Sequence, residues 1–378
     1  MRISGPWLES PATQHVLHLL EGAGYQALVV GGCVRNALIG VPVTDVDIST
    51  NARPQTVIAL AEAAGLRAVP TGLEHGTVTL VVAGEGFEVT TFRRDVQTHG
   101  RHATVEFSDY LAEDAARRDF TMNALYARAD GQVIDPLGGL PDLEARRLRF
   151  VGDAPARIRE DYLRILRFFR FHAQYGDPQS GLDAEALAAC AAGADGMGQL
   201  SAERITAEMR KLLAAPDPAP ALAAMGQTGV LAHVLPGASP RAVPVLVHLE
   251  PASLAPDWLC RLVVLGGVID RLRLTKAEFR ALEHLRDRLG TVQTAAELGY
   301  ALGQSLAESV VLARAALLET PLPPDWRADI AHGARAQFPL SARDLPHLQG
   351  PALGAELRRL ERVWIASNFS MSKDALLG

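Results

Sequence analysis

Two aspartates separated by a single residue, Asp45 and Asp47, are the side chains of this sequence best suited to chemistry. Val46 and Ile48 alternate with them, as in a strand with one apolar face, so the two carboxylates are expected to point the same way. Neighbouring carboxylates repel each other unless a cation lies between them, and hard oxygen ligands suit Mg²⁺ with phosphates completing its shell. The pair therefore predicts a magnesium-dependent site that acts on a phosphate compound.

A pair of glycines lies shortly upstream, at the end of an apolar, strand-like run over residues 28–30. Because glycine has no side chain, Gly31 and Gly32 allow backbone N–H groups to approach a phosphate, and the N-terminus of a following helix favours anions. That helix is predicted over residues 34–39, and Arg35 within it either reaches a triphosphate or lies on the surface. Together these features predict a metal-dependent nucleotidyl-transfer site.

Glu88 is the candidate third acidic residue of this site. It alternates with Phe87 and Val89 in a strand predicted over residues 87–92. A single glutamate on an amphipathic strand commonly faces solvent without any further role. A site that already contains two carboxylates gives Glu88 a second interpretation, as a catalytic residue.

A second group of polar residues consists of Arg117, Arg118, Asp119 and Asn123, and follows a helical stretch predicted from residue 109. On a helix, Asp119 and Asn123 are four residues apart and share a face. Arginines bind phosphates through two hydrogen bonds, and an Asp–Asn pair can hydrogen-bond a ribose. The alternative is a solvated helix with salt bridges and no ligand.

A third group lies on an amphipathic helix predicted over residues 159–170. Its charged residues recur at every third position and wind around the helix by about 60° per step, while leucines and phenylalanines fill the other side. An aspartate and an arginine one turn apart can present a hydrogen-bond acceptor and a donor fork to the edge of a base, which predicts nucleotide selection without a template. The alternative is a solvated helix whose arginines are merely exposed. The group comprises Asp161, Arg164, Arg167 and Arg170.

The elements that would position the first two groups form a small sheet with helices. Ser10 followed by Pro11 predicts the start of a helix. Strands are predicted over residues 66–69 and 77–82, and residues 83–86 are predicted to connect the latter to the strand of Glu88 as a hairpin. Further along, residues 129–132 predict a second hairpin turn.

The organisation changes twice after this region. Residues 93–104 are polar, charged and contain one glycine, which predicts a mobile loop of a length that is often functional. From residue 141 onwards, helical periodicity and many alanines and leucines replace the strand patterns, and prolines separate the helical segments. The predicted fold class is therefore α+β, with a mixed or antiparallel sheet and helices followed by an all-α arm.

The overall composition is that of an ordinary globular chain of 378 residues, with 48% hydrophobic and 21% charged residues. Its formal net charge of −6 gives no general support to nucleic-acid binding, so any basic surface must be local. Three scattered cysteines without metal-ligand spacing indicate a reducing compartment. No signal-like N-terminus or membrane-spanning run is present, and a soluble, cytoplasmic protein is expected.

Other functions fit parts of this pattern. The Asp-x-Asp pair also resembles the nucleophile motif of haloacid-dehalogenase-type phosphatases, although a proline interrupts the run before Asp45 and the two glycines have no role there. A catalytically silent RNA-binding protein would account for the arginine-rich helix but would leave the aspartates without a purpose.

Five motifs in this order resemble those of the nucleotidyltransferases that build the 3′ CCA end of tRNA, in their bacterial-type class. The first motif contains the glycines and the aspartate pair, and the second contains the paired arginines. The third links the head to the helices. The fourth resembles the base-reading motif of the family, and the fifth resembles the helix motif behind the base-reading one. They occupy residues 31–50, 117–125, 135–152, 160–167 and 201–211. The resemblance covers roughly residues 25–215 and extends to the rest of the chain only in its helical character.

The resemblance implies a head, neck, body and tail. These parts are a catalytic nucleotidyltransferase head over residues 1–140, a base-recognising neck over 141–215, a helical body over 216–300 and a tRNA-binding tail over 301–378. It implies addition of C, C and A to the 3′ end of tRNA from CTP and ATP, with release of pyrophosphate. The implied partners are the 3′ end and acceptor arm of tRNA, with no membrane and no obligate protein partner.

The resemblance also assigns residues. It implies Mg²⁺ on Asp45 and Asp47, with Glu88 as the third carboxylate. Residues implied near the triphosphate or the sugar are Gly32, Arg35 and Arg118, with the Asp119–Asn123 pair as further nucleotide contacts. Residues implied around the base are Asp161, Arg164, Arg167 and Arg170.

Two features leave alternatives open. Asn36 stands where the family usually has aspartate, which puts in doubt a helix-capping or arginine-pairing role for that position. Bacterial poly(A) polymerase shares the head, but its usual basic run is replaced here by residues 69–76. The segment 94–104 favours, by resemblance, a full CCA-adding enzyme over one that adds only CC; A-only addition is a further alternative.

Overall fold

A mixed β-sheet forms the centre of the first part of the chain in the computed structural model, which describes residues 1–99 and 102–378 and, within 95–105, the backbone alone. Its strands are β1 (Ala27–Val30), β2 (Asp47–Thr50), β3 (Arg67–Gly72), β4 (Thr77–Val82), β5 (Glu85–Thr91), β8 (Tyr126–Ala127) and β9 (Val133–Ile134). They lie in the order β3-β4-β5-β2-β1-β8-β9. Strand β2 pairs antiparallel with β1 and parallel with β5, so the sheet is mixed, as predicted.

The pleat of β5 explains which of its residues reach solvent. Phe87 and Val89 are buried, whereas Glu88 between them is exposed, as the sequence alternation predicts. The connection to β4 is tighter than predicted, because β5 already begins at Glu85. Ala83 and Gly84 alone make the turn, both with left-handed backbone angles (φ 50° and 87°), which suit the twist of a two-residue hairpin.

The helices account for most of the remaining chain. Before the helical arm they are α1 (Pro6–Glu9), α2 (Pro11–Gly22), α3 (Gly32–Ile39), α4 (Pro54–Ala63) and α5 (Leu111–Ala116). The arm begins with α6 (Leu140–Glu144), α7 (Ala154–Glu160), α8 (Leu163–Tyr175), α9 (Ala184–Ala192), α10 (Ala202–Leu213), α11 (Ala219–Gln227) and α12 (Val230–Val234). It continues with α13 (Val243–Leu249), α14 (Trp258–Leu265), α15 (Lys276–Leu289), α16 (Ala295–Leu302), α17 (Gln304–Leu318), α18 (Trp326–Arg335), α19 (Gly350–Ala366) and α20 (Lys373–Leu377). Helix α2 starts as predicted, with the Ser10 hydroxyl accepting a hydrogen bond from Thr13 N and Pro11 in the first turn.

The chain divides into two units. One comprises Met1–Leu212 and Pro220–Val234, and the other comprises Leu213–Ala219 and Leu235–Gly378. The four-part division predicted from the sequence is finer than this and stays a prediction. The predicted α+β class, a mixed sheet with helices followed by an all-helical region, is confirmed.

Three predicted elements were wrong, besides the helix predicted to carry Asp119 and Asn123, which is described with the site below. The segment predicted as a mobile loop forms two antiparallel strands, β6 (Arg93–His99) and β7 (His102–Phe107), while Gly100 and Arg101 lie outside the described residues. Asp45 precedes β2 instead of lying on it. The helix predicted through Asp161 is broken there, because Asp161 has an extended backbone (φ −154°, ψ 105°) between α7 and α8.

An aromatic cluster joins the second polar motif to the first helices of the arm. Phe120 lies 5.0 Å from Phe150 and 5.3 Å from Phe171, measured between ring centroids, and Phe150 stacks on Phe168 at 5.8 Å. These rings are buried, and burial of aromatic area contributes most to packing of this kind. All of them belong to the first unit, so α8 has a fixed place beside the motif that precedes β8.

The second unit contains its own core. Leu340, Leu345, Leu360, Trp364 and Leu376 are buried together, and Tyr300 and Phe369 pack against them. Within the part of the chain that the structure describes, no helix combines the length and the apolar character needed to cross a bilayer.

Candidate active site

The carboxylates predicted for catalysis lie on two adjacent strands. Asp47 begins β2 and is the register partner of Glu88 on β5. Both residues are exposed, while Ile48, Phe87 and Val89 next to them are buried and fix the strands in the core. Asp45 lies just before β2, where Thr44 Oγ1 donates a hydrogen bond to its carboxylate at 2.9 Å.

An open cleft of about 670 Å³ is lined by all three carboxylates. Within it, enclosure by the protein raises the pKa of Asp47, and the negative charges of Glu88 and Asp45 raise it further, while Arg118 lowers it. The cleft therefore favours a cation, which would relieve the repulsion between the carboxylates.

The carboxylates that line this cleft are the donors available to a metal ion. Among the residues that the structure describes, no three His, Cys, Asp or Glu side chains are close enough to hold a metal on their own. In phosphate chemistry, however, the protein usually contributes only one or two carboxylates to a Mg²⁺ site. Water and phosphate oxygens then fill most of the coordination shell. The residues present therefore fit a hard cation that is bound together with a nucleotide.

The glycine pair lies next to the second motif. Gly31 has a left-handed backbone (φ 72°) and immediately precedes α3, which begins at Gly32. A side chain at Gly31 would contact Arg118 and the backbone of Asn123. The left-handed backbone therefore favours glycine here, and the N-terminus of α3 lies beside Arg118.

Arg118 is held at this place by buried partners. Its Nη2 donates to Asp114 Oδ2 at 3.1 Å and to Ser49 Oγ at 3.4 Å, and its Nε donates to the Tyr126 hydroxyl at 2.9 Å. Its side chain is 18% exposed. The guanidinium thus lies between the glycine turn and β2, with a fixed orientation suited to a phosphate or sugar oxygen.

Arg35 occupies a position that neither sequence interpretation anticipated. It is buried, and its Nη1 donates to Asn123 Oδ1 at 2.5 Å. Its guanidinium carbon lies 4.0 Å from the centroid of the Tyr175 ring. Asn36 accepts hydrogen bonds from Arg35 Nε and Nη2, at 3.1 and 2.8 Å, so this position keeps an arginine-pairing role although asparagine replaces aspartate. The doubt about an arginine-pairing role was therefore wrong, whereas a helix-capping role is not observed, since Asn36 lies inside α3, between the two glycines that cap it.

Asp119 and Asn123 meet, but not on an α-helix as predicted. Helix α5 ends at Ala116, and a 3₁₀ turn covers residues 121–123. Within this turn, Asn123 Nδ2 donates to Asp119 Oδ1 at 3.0 Å, while Arg167 donates to Asp119 Oδ2 through Nε and Nη2 at 2.8 and 2.5 Å. Burial alone would raise the pKa of Asp119, but Arg167 and the hydrogen bonds from Asn123 and Phe120 N lower it to about 2.

These contacts form a continuous hydrogen-bonded series from α3 to α8. It runs from Arg35 through Asn123 and Asp119 to Arg167. Residues predicted to contact a triphosphate, a ribose and a base are therefore bonded to one another. In this structure the side chains of Asp119 and Asn123 hydrogen-bond to each other and to Arg167 and Arg35.

The predicted base-reading motif is spread over the end of α7 and the start of α8. Asp161 Oδ1 accepts a hydrogen bond from Leu163 N at 3.1 Å, and Asp161 Oδ2 pairs with Arg204 at 2.6 Å. Arg164 pairs with Glu160 and donates to the carbonyl of Arg117 at 3.3 Å. Asp161 and Arg164 retain partial exposure, at 23% and 13% of their side chains.

The other two arginines of α8 differ in exposure, because the side chain of Arg167 is 32% exposed whereas that of Arg170 is 8% exposed. Arg170 is buried, and its Nε donates to Glu208 Oε2 at 2.5 Å. Arg167 and Arg170 both lie over the Phe171 ring, at 5.1 and 4.1 Å from its centroid. The prediction that every arginine of this stripe faces a base is weakest for Arg170, whose charge is already balanced by a buried carboxylate.

Sequence reasoning missed Asp114, Tyr126 and Tyr175. The spacing of Asp114 from Arg117 and Arg118, three and four residues, is the helical ion-pair spacing and was a usable indication. Tyr126 and Tyr175 reach the site through the sheet and through α8, and their contacts depend on tertiary structure alone.

Known proteins are similar to this chain along its whole length. Residues 27–149 match the family model described as the poly A polymerase head domain, and residues 181–241 match a probable RNA and SrmB- binding site of polymerase A. The mitochondrial CCA tRNA nucleotidyltransferase 1 of Mus musculus is 32% identical over an alignment of 412 residues, which covers 100% of this chain and 92% of the mouse protein. A CCA-adding enzyme of Geobacillus thermodenitrificans is 44% identical over 59% of this chain and 54% of its own length.

A solved structure extends the similarity to the whole fold. The crystal structure of Bacillus stearothermophilus CCA-adding enzyme in complex with CTP has a TM-score of 0.72 and 28% identity, and the match covers 94% of this chain and 92% of that one. The mouse relative exceeds 30% identity over the full chain. On this evidence, together with the carboxylate pair, the glycine turn and the arginine motifs, the chain belongs to the CCA tRNA nucleotidyltransferase family.

Proposed function

We propose that this protein adds C, C and A to the 3′ end of tRNA, using CTP and ATP and releasing pyrophosphate. Family membership across the whole chain supports the activity, and relatives of this chain are named for it. The observation on which the chemistry depends most is the cleft with Asp47 opposite Glu88 and Asp45 at its edge. The phosphatase alternative lacks support, because these carboxylates lie beside a glycine turn and arginines that such an enzyme does not need.

The proposed metal is Mg²⁺, held by Asp45 and Asp47, with Glu88 adding negative charge from the adjacent strand. When bound, it would supply positive charge for the reacting phosphate and lower the pKa of an attacking hydroxyl. The backbone N–H groups at the start of α3 and the Arg118 guanidinium are proposed to hold the triphosphate. Because these donors are fixed before substrate arrives, they stabilise developing charge without reorganisation.

Asp161 and Arg164 are proposed to read the base, as an acceptor and a donor at the start of α8. Their partial exposure supports this role. Arg167 is proposed to hold the pocket together with Asp119 and Asn123, and Arg35 to support the glycine turn from beneath. Three free, buried cysteines support a reducing compartment, and the cytoplasm is the proposed location.

The test uses tRNA whose 3′ end lacks CCA, incubated with the protein, CTP, ATP and Mg²⁺, followed by sequencing of the ends. Complete CCA ends are expected, and chelation of the metal should stop the reaction until Mg²⁺ is restored. Ends with only CC, or a single A added to tRNA that already ends in CC, would replace the proposal by partial addition. Long A tails would indicate poly(A) polymerase activity, and unchanged ends would contradict the proposal.

A further inference from the structure

Both oxygens of the proposed base-reading carboxylate are already bonded within the protein. Asp161 Oδ1 accepts from the backbone N–H of Leu163 at the start of α8, and Asp161 Oδ2 pairs with Arg204 Nη2 at 2.6 Å. Each side chain of this ion pair is 23% exposed. The carboxylate therefore reaches solvent with one oxygen tied to the backbone and the other tied to a permanent cation.

Helix α10 carries a second charge that matches α8. Glu208 lies four residues after Arg204, on the same face of α10, and its carboxylate accepts from Arg170. Arg204 and Glu208 thus meet Asp161 and Arg170, the first and last members of the charged series on α8, with opposite charges at each end. This pattern fixes the register of α8 against α10, because a shift by one turn would bring like charges together.

The local backbone restrains one of the two carboxylate oxygens of Asp161. Asp161 lies in the break between α7 and α8, where the hydrogen bond from Leu163 N holds Oδ1 and the ion pair with Arg204 holds Oδ2. Tyr162, the next residue, packs directly on Gly196, where any larger side chain would overlap the tyrosine ring. Two contacts therefore hold this break, namely the ion pair of Asp161 with Arg204 and the packing of Tyr162 on Gly196.

We propose that Arg204 is a positioning residue for nucleotide selection, which holds Asp161 so that its carboxylate accepts the exocyclic amino group of an incoming base. Cytosine and adenine both carry an exocyclic amino group, which is a donor, whereas uracil and guanine carry a carbonyl acceptor at the equivalent position of the base. An ionised, oriented carboxylate accepts from the first two and repels the last two. Arg204 touches no reacting atom and acts through Asp161. The inference rests on the proposed base-reading role of Asp161.

The test compares CTP with UTP on tRNA that lacks its CCA end. Arg204→Gln removes the cation and is expected to lower the ratio of kcat/KM for CTP to that for UTP by about tenfold, because a small displacement of an orienting group has effects of at least this size. Arg204→Lys keeps the charge and should restore part of the ratio. Arg159→Gln, the same change at an exposed residue of α7, is the matched control and should keep the wild-type ratio.

Asp161→Ala and the double variant Asp161→Ala/Arg204→Gln distinguish the role of Arg204 from that of Asp161. If Arg204 acts through Asp161, the double variant has the same ratio as Asp161→Ala alone. Equal losses with CTP and UTP in Arg204→Gln, or an unchanged ratio, would overturn the role of Arg204. An unchanged ratio in Asp161→Ala would instead overturn the base-reading role itself. Should Arg204→Gln fail to fold, as judged by its thermal melt, Arg204→Lys supplies the comparison.

Discussion

Asp47 and Glu88 face each other across two parallel strands, β2 and β5, and line the same cleft. Parallel pairing within a sheet that is otherwise antiparallel requires a crossover connection, and here the chain leaves β2 through α4, forms β3 and β4 at the far edge of the same sheet, and returns as β5 beside β2. Two carboxylates that are 41 positions apart in the sequence are thereby brought side by side.

The first prediction concerns the aspartate pair. Asp45→Ala and Asp47→Ala should each abolish incorporation of labelled CTP into tRNA without CCA, because each removes a proposed metal ligand from a set that contains only two. Both variants should still fold, since the two side chains are exposed. Asp109→Ala, which removes an exposed aspartate elsewhere in this unit, should incorporate CTP normally. Retained incorporation in either variant of the pair would contradict the assignment.

The second prediction concerns Glu88. Glu88→Gln keeps the shape of the side chain but removes its charge from beside Asp47, and should lower the rate of CTP incorporation by about 10- to 100-fold, the usual effect of a supporting residue at a metal site. Glu62→Gln on the exposed face of α4 is the matched control and should have no effect. The rates are to be measured at saturating CTP. Equal rates in the two variants would show that Glu88 is only a surface residue.

The third prediction concerns Asp119 and the dependence of stability on pH. Its pKa, lowered to about 2 in the folded protein, means that ionised Asp119 stabilises the fold above its unfolded pKa of about 4, and that this stabilisation is lost as the pH falls towards 2. Asp119→Asn should therefore lower the free energy of unfolding by at least about 2 kcal/mol at pH 7, with a difference that shrinks below pH 4.

Urea unfolding of the wild type and Asp119→Asn at pH 7, 4 and 2.5 provides this measurement. Asp130→Asn is the control, because Asp130 pairs with Arg2 at an exposed position, and such pairs contribute less than about 1 kcal/mol. A destabilisation by Asp119→Asn that is the same at all three pH values would argue against the ionised form as its cause.

The fourth prediction concerns Arg261 in the second unit. Its side chain is 1% exposed, pairs with Glu250 at 2.5 Å, and donates to the carbonyls of Leu213 at 2.7 Å and Pro216 at 3.2 Å. Arg261→Met would leave a carboxylate and several carbonyls without donors, so the free energy of unfolding should fall by about 3–5 kcal/mol.

The matched control for this prediction is Arg241→Met, which removes an exposed arginine paired with Glu319 in the same unit and should cost less than about 1 kcal/mol. Thermal unfolding of the two variants beside the wild type makes the comparison. Similar melting temperatures for Arg261→Met and Arg241→Met would mean that the buried guanidinium is not needed for stability.

Local patterns in the sequence were sufficient for elements whose hydrophobic alternation is clear. Strand β4 begins and ends where the alternation predicts, and the turn at residues 129–132 joins β8 to β9 as expected. The hairpin of β6 and β7 was missed because its polar sequence has no apolar alternation. The break at Asp161 was missed because both flanking segments have helical periodicity, and the periodicity continues through the break.

The candidate site was predictable in its residue types and less so in its contacts. Burial of Arg35 depends on Tyr175 and Asn123, which lie 140 and 88 positions further along the chain. Pairing of Asp119 with Arg167 likewise depends on packing of α8 against the motif around Phe120. Spacing along one element cannot encode such partners, so side chains proposed to meet the nucleotide were found to hold one another.

The alternation of β5 restricts how this part of the chain can change in length. Phe87 and Val89 anchor the strand in the core, and Glu88 reaches the cleft only because it lies between them. Inserting or deleting one residue within β5 would turn Glu88 inward and a core side chain outward, whereas the same change in the turn at Ala83 and Gly84 would leave both faces in place. Length variation among functional homologues should therefore accumulate at the turn and be excluded from the strand.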